Sequence, residues 1–289
     1  MIYATPTPTP SHPILAQWMS AWASHYADAD AVANLFTPDA IWVIDGETLH
    51  GLAEIRRAVG AALHNAQATK FLLRRSFGDL AEPTWHAAEW ALRVQQADGS
   101  CRECEQAVLI NVVDGQIKTM RTHNDKLRAC AMAWDAPLRP ESRPSTFPKP
   151  QRTMTLDEVL NLQQRHVMQG WRVGAAEVVT AVHMPQSVIL NAWETVHGHD
   201  EIRVSVQKYF ANYADTQVEV HRVVYDGQNI AVNQTWCCTN RLTGKRAGDQ
   251  DLIIGVLQDD HIWYWREYFD GTLSAQTLEQ THFGMLQHR

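Results

Sequence analysis

The 289-residue sequence has no apolar run approaching the ~20 residues that a transmembrane helix needs. Its opening, MIYATPTPTPSHP, lacks the basic start and apolar stretch of a secretory signal, so none is expected. No G-x-S-x-G turn, phosphate-binding loop or dinucleotide fingerprint is present. Basic charge is in short supply, with 25 Lys and Arg against 32 Asp and Glu, a net charge of −7. Residues 1–130 carry 11 basic and 14 acidic side chains (−3), 131–153 carry 4 and 2 (+2), and 154–289 carry 10 and 16 (−6). No basic stripe emerges, which argues against a nucleic-acid surface. Cysteine is scarce and odd in number: five, with Cys237 and Cys238 adjacent. That is no disulfide framework, and it points to reduced thiols and a cytoplasmic protein without a membrane partner. What is there is ordinary globular composition, 45% hydrophobic and 20% charged.

Proline divides the chain. Four of the 12 prolines lie in the first 13 residues and five more between Pro137 and Pro150. Lacking an amide donor and disfavouring helix before it, proline makes the first stretch a disordered tail and 131–153 an extended linker. The flanking segments repeat each other. ETLHGLAEIR (47–56) and ETVHGHDEIR (194–203) share seven identities in ten at an offset of 147. The offset also pairs Val59 with Val206, Asn65 with Asn212, Arg75 with Arg222 and Asp79 with Asp226. Trp90 pairs with Trp236 at 146; Asp114, Ile117, Arg121 and Asp125 pair with Asp259, Ile262, Arg266 and Asp270 at 145. Two domains are expected, 14–130 and 154–275, with 276–289 as a C-terminal tail.

Each copy reads helices first, then strands. Ile14, Leu15, Trp18, Met19 and Trp22 form one helical stripe, and helices are expected near 31–36 and 53–64. In the second copy Thr155-Leu-Asp-Glu158 is a capping box opening a helix to about Trp171, followed by helices near 175–183 and 200–213. Short strands are expected at 41–44 and 188–192. Long ones follow near 71–77, 85–95, 106–113 and 117–123, and near 218–225, 230–239, 250–257 and 261–269, with Asp-Gly hairpin signals. The fold class is α+β: two tandem cones, each a curved, mostly antiparallel sheet wrapped around about three helices.

With these elements each copy resembles the nuclear transport factor 2-like superfamily, a cystatin-like α+β barrel with an apolar pocket. Within it the copies look like SnoaL-like polyketide cyclases and limonene epoxide hydrolases. The most specific piece is Trp265-Arg-Glu-Tyr-Phe-Asp270, similar to the W-R-D-Y-F-D ending of the epoxide hydrolases. The resemblance implies a catalytic carboxylate at Glu267, where the cyclases carry an acid/base aspartate and the hydrolases a water-activating one. Strand alternation puts Trp263, Trp265, Glu267 and Phe269 on one face, and Ile189 and Asn191 on another. If the first face lines the pocket, burial raises the Glu267 pKa. The resemblance makes Asn191 a water- or carbonyl-orienting amide; the same residue can instead satisfy backbone groups at a strand end. The hydrolases' Arg and Asp on the middle long strand are replaced here by Gln234 and Trp236. Gln234 can still hydrogen-bond a carbonyl and Trp236 can stack on a ring. The first copy departs further, with Thr122 matching Glu267, Ile44 matching Asn191, and Ala88 and Trp90 matching Gln234 and Trp236. Trp42, His86 and Trp90 are then expected to line an apolar cavity, His86 serving as a base or as a hydrogen-bonded core histidine.

No metal site is expected. His197-Gly-His199-Asp200 reads as a helix-start turn, since His50 repeats only its first histidine. Cys101-Arg-Glu-Cys104 has no second pair, and His25-Tyr26 sits at a helix end. The expected activity is cofactor-free acid/base proton transfer on a small hydrophobic carbonyl compound, an aldol-type cyclisation or isomerisation, in the second domain. Catalysis falls to Glu267, Asn191 and Gln234, with Trp236, Trp263, Trp265, Ile189 and Phe269 as walls. Alternatives are a non-catalytic binder of a hydrophobic ligand, or water addition to an epoxide. The two copies are expected to pair as an intramolecular pseudo-dimer, with a homodimer also possible.

Overall fold

A computed structural model describes residues 9–23, 28–44, 46–125, 129–136, 149–191 and 193–269. His25-Tyr26, Asp270, residues 1–8, the C-terminal tail and linker residues 137–148 lie outside them; residues 9–13 of the tail expected to be disordered are described, with Ser11 hydrogen-bonded to Ser76 and Pro13 opening the first helix. The chain divides into two compact units, Met1–Ser145 and Thr146–Arg289.

The first unit runs α1 (Pro13–Ala23), α2 (Ala29–Ala33), β1 (Phe36–Ile44), β2 (Glu47–His50), α3 (Gly51–Asn65), β3 (Ala66–Gly78), β4 (Trp85–Gln96), β5 (Cys101–Val113), β6 (Gln116–Asn124) and β7 (Cys130–Ala131). The second runs α4 (Leu156–Gln164), a π-helical turn (Arg165–Trp171), α5 (Ala176–Ala181), β8 (His183–Leu190), β9 (Thr195–His197), α6 (Gly198–Asn212), β10 (Tyr213–Tyr225), β11 (Asn229–Asn240), β12 (Arg246–Gln258) and β13 (His261–Phe269). Sheet order is β2-β1-β6-β5-β4-β3 in one unit and β9-β8-β13-β12-β11-β10 in the other, so six strands share one topology and the first unit adds β7 beside β5. In each unit one pair is parallel, β1 with β6 and β8 with β13; the others are antiparallel. Among the described residues no helix is long and apolar enough to cross a membrane.

The repeated His-Gly is a turn, as its spacing implied. His50 and His197 cap α3 and α6, and their backbone amides donate to Glu54 and Glu201 at 2.8 and 2.7 Å. Gly51 and Gly198 take φ of +69° and +71°, and a β-carbon there would meet the carbonyls of Pro38 and Pro185 at 3.1 and 2.9 Å. Gly198→Ala is therefore expected to destabilise the second unit by about 2 kcal/mol, combining left-handed backbone cost with the carbonyl clash. A urea midpoint unchanged from wild type would contradict this.

Two features depart from the sequence reading. The helix expected to reach Trp171 as one piece opens into a π-turn at Arg165. Residues 131–136, placed in the linker by the proline count, pack on the first unit. There β7 pairs with β5, and Arg93 donates to the carbonyls of Ala133, Trp134 and Ala136 at 3.1, 3.0 and 2.5 Å. The same guanidinium meets Glu103 at 2.5 Å, and both side chains are fully buried.

Candidate active site in the second unit

Inside the second cone is a cavity of about 280 Å³. Apolar side chains of α4, α5 and α6 and of the concave sheet face, among them Val159, Ile202, Val232 and Ile253, form the core around it. Glu267 of β13 stands at its wall, where the Trp265 indole N–H donates to Oε1 at 3.1 Å, leaving Oε2 to the cavity. Burial pushes the Glu267 pKa up to about 7. The Trp265 bond opposes this rise and the nearby Glu194 carboxylate adds to it.

Asp251 of β12 lines the same cavity. Its Oδ2 accepts from Gln234 Nε2 at 3.1 Å, while Oδ1 is buried with no hydrogen-bond partner. Burial, and then the charge of Glu267, hold the Asp251 carboxyl well above the ordinary carboxylate range. Two carboxylates so placed cannot both ionise cheaply, so the pair retains a proton. Because Oδ2 accepts from Gln234, the Asp251 proton belongs on Oδ1.

Two histidines line another part of the cavity. The Trp171 indole N–H donates to His166 Nε2 at 3.0 Å, and His183 Nδ1 bonds the Val179 carbonyl at 2.8 Å, which requires the proton on Nδ1. Burial drops His166 well below its usual range and His183 to about 4, so both are neutral and weak bases. Glu267 is the better base near neutral pH. Among the described residues no group of three or more His, Cys, Asp or Glu is arranged to hold a metal ion.

A family model described as SnoaL-like domain matches residues 15–120 and 164–265, more than two thirds of the chain. The chain belongs to the SnoaL-like domain family. No curated protein matches it. Similar solved structures include TsrD from Streptomyces laurentii (14% identity, 44% of this chain and 98% of that one, TM-score 0.40). An LEH-like epoxide hydrolase from M. tuberculosis aligns at 16% identity over 46% of this chain and 98% of its own, TM-score 0.38. An NTF2-like protein of unknown function from Burkholderia pseudomallei aligns at 15% over 42% and 98%, TM-score 0.39.

In the second SnoaL-like unit, Ile189, Asn191, Gln234, Trp236, Trp265, Glu267 and Phe269 all line the cavity. Asn191, expected as an orienting amide, uses Oδ1 to accept from the backbone amides of Trp193 and Glu194 at 2.9 and 2.8 Å. Trp263 is misplaced by simple alternation. Ile262 lies opposite Leu257 and Tyr264 opposite Val256, so Trp263 is an extra residue at a β-bulge. It packs with Val188, Val256 and Tyr264, apart from the main core. The sequence reading missed Asp251, which falls in phase with the core residue Ile253. It also missed Glu194 and the two histidines.

Among the described residues of the first SnoaL-like unit, Gln106 and Thr122 stand where the second has Asp251 and Glu267. Trp42 and Trp90, expected as cavity walls, are sealed in its core at 3% and 0% exposure. Their indole N–H groups donate to Thr122 (2.9 Å) and Gln106 (2.7 Å). His86 packs on His12, ring centroids 4.8 Å apart, with Ser11 Oγ 3.3 Å from Nδ1. Burial, then His12, lowers its pKa. The ladders also correct the alignment. The rung Leu73, Trp90, Gln106, Asn124 occupies the place of Val220, Gln234, Asp251, Phe269. Trp90 thus stands opposite Gln106 as Gln234 stands opposite Asp251, and Trp236 matches Leu92.

Proposed function

We propose that the second unit catalyses proton transfer, without a cofactor, on a small and largely apolar carbonyl compound, as in an aldol-type cyclisation or an isomerisation. The observation that carries this reading is Glu267, a carboxyl at a cavity wall with its pKa pushed to about 7, beside a second carboxyl, Asp251, that burial also holds well above the ordinary carboxylate range. Glu267 Oε2 takes a proton from carbon next to the carbonyl. Asp251, as the protonated partner, donates to the oxygen on which enolate charge develops, and Gln234 fixes its carboxyl. Glu267 then returns its proton to the product. Proton transfer to and from a positioned base contributes about 10²–10⁴-fold in rate. The free cysteines fit a cytoplasmic setting.

The test is deuterium exchange at carbons next to the carbonyl in a panel of cyclic ketones, followed by NMR across pH. The active form needs Glu267 ionised, so the rate rises with pH and levels off above about 7. A profile flat through this range would remove Glu267 as the base. Epoxides belong in the same panel. Asp251 supplies an acid for a ring oxygen, which the sequence reading did not see, and Glu267 can activate water.

A further inference from the structure

The cavity pairs acid with aromatic rings. Glu194, Asp249, Asp251 and Glu267 line it, whereas its one lysine, Lys208, is exposed at the rim. His166 inside it is neutral because its Nε2 accepts from Trp171, and burial keeps His183 neutral. Trp193 and Phe269 meet at 4.8 Å between ring centroids with 53° between planes, forming a corner of two π faces. Trp193 and Glu194 are adjacent, and Asn191 holds both backbone amides. Ser205 donates to Glu194 and lines the cavity with it. Asp251, 7% exposed, also lines the cavity, its Oδ2 held by Gln234.

We propose that the cavity takes an organic ammonium ion, its cationic nitrogen seated in the Trp193–Phe269 corner against Glu194. Ring faces attract a cation through their quadrupole, and the neighbouring carboxylate supplies the countercharge. A neutral apolar ligand gains nothing from the carboxylates and must desolvate them. The assignment narrows the substrate of the proton-transfer reading, on which it rests for chemistry, to a carbonyl compound bearing a basic or quaternary nitrogen. Asn191 becomes a positioning residue: its side chain fixes the turn that presents both Trp193 and Glu194.

Isothermal titration calorimetry of the full chain with choline, and with the dimethylbutanol in which carbon replaces its nitrogen, tests this. Choline is expected to bind about tenfold or more tighter than the isostere. Glu194→Gln and Trp193→Leu should each erase most of that preference, read as the ratio of choline to isostere affinity within the same variant. Circular dichroism melts verify folding, and Trp193→Phe, which keeps a ring, should retain part of the preference. Equal or tighter binding of the isostere, no choline binding, or a preference untouched in both Glu194→Gln and Trp193→Leu would overturn the proposal. Ketone exchange gives a separate readout. Choline selectivity without exchange defeats only the proton-transfer reading, and exchange without selectivity defeats only the cation site.

Discussion

Replacing Glu267 by glutamine is expected to cut proton transfer by about a hundred- to ten-thousand-fold and, at alkaline pH, to make the protein more stable. The two effects have one source. Glutamine keeps the size and still accepts from the Trp265 indole, so the cavity wall persists. It cannot take a proton, so exchange at the carbons next to the ketone carbonyl slows by that factor. The stability gain follows from linkage. The Glu267 carboxyl loses its proton near 4.5 in the unfolded chain but only at about 7 in the folded one. Between those values the folded state binds the proton more tightly, so stability falls as pH rises and the full loss is present above about 7. Allowing for the cavity that Glu267 faces, the loss is about 2 kcal/mol, which the neutral amide avoids. Thermal melts at about pH 5 and pH 8 check the sign: the variant should gain on wild type only at the higher pH. A uniform loss of stability would mean that the carboxylate is there for structure.

The second large effect belongs to the first unit. Arg93→Ala is expected to cost about 3–5 kcal/mol, because it removes one half of an ion pair at zero exposure and the donor shared by three carbonyls. Breaking one side of a buried ion pair costs far more than removing both. Arg93→Met combined with Glu103→Leu should therefore recover part of the loss, though not the carbonyl bonds. Urea unfolding followed by tryptophan fluorescence measures both, and a single variant within about 1 kcal/mol of wild type would show the pair to be solvated in solution.

Much of the fold is legible in the amino-acid sequence because duplication writes it twice. The His-Gly turn, the Asp-Gly hairpins and the capping box at Thr155 are local devices, and each appears where its chemistry places it. The site was harder to read. Glu267 stands out through its neighbours, but Asp251 does not, although an acid in phase with Ile253 on a core-facing row was the available signal. Trp263 went astray because a bulge shifts the alternation and carries no local mark in the sequence. Identity misled at Trp90 and Trp236: two tryptophans invite alignment, whereas only the ladder shows that Trp90 stands in the place of Gln234. The π-turn carries His166 and Trp171, which both line the cavity.

The matched rungs have a consequence for how duplicated proteins diverge. On one backbone, a carboxyl pair steadied by an amide has as its counterpart an amide and a hydroxyl, each closed off by an indole. Three side-chain identities, at 90, 106 and 122 against 234, 251 and 267, replace a carboxyl pair by an amide and a hydroxyl. Because the frame is carried by glycines, prolines and apolar rows elsewhere, a copy relieved of selection can trade its acids for tryptophan contacts without altering its topology. Divergence of this kind accumulates in the lining while the wall stays recognisable.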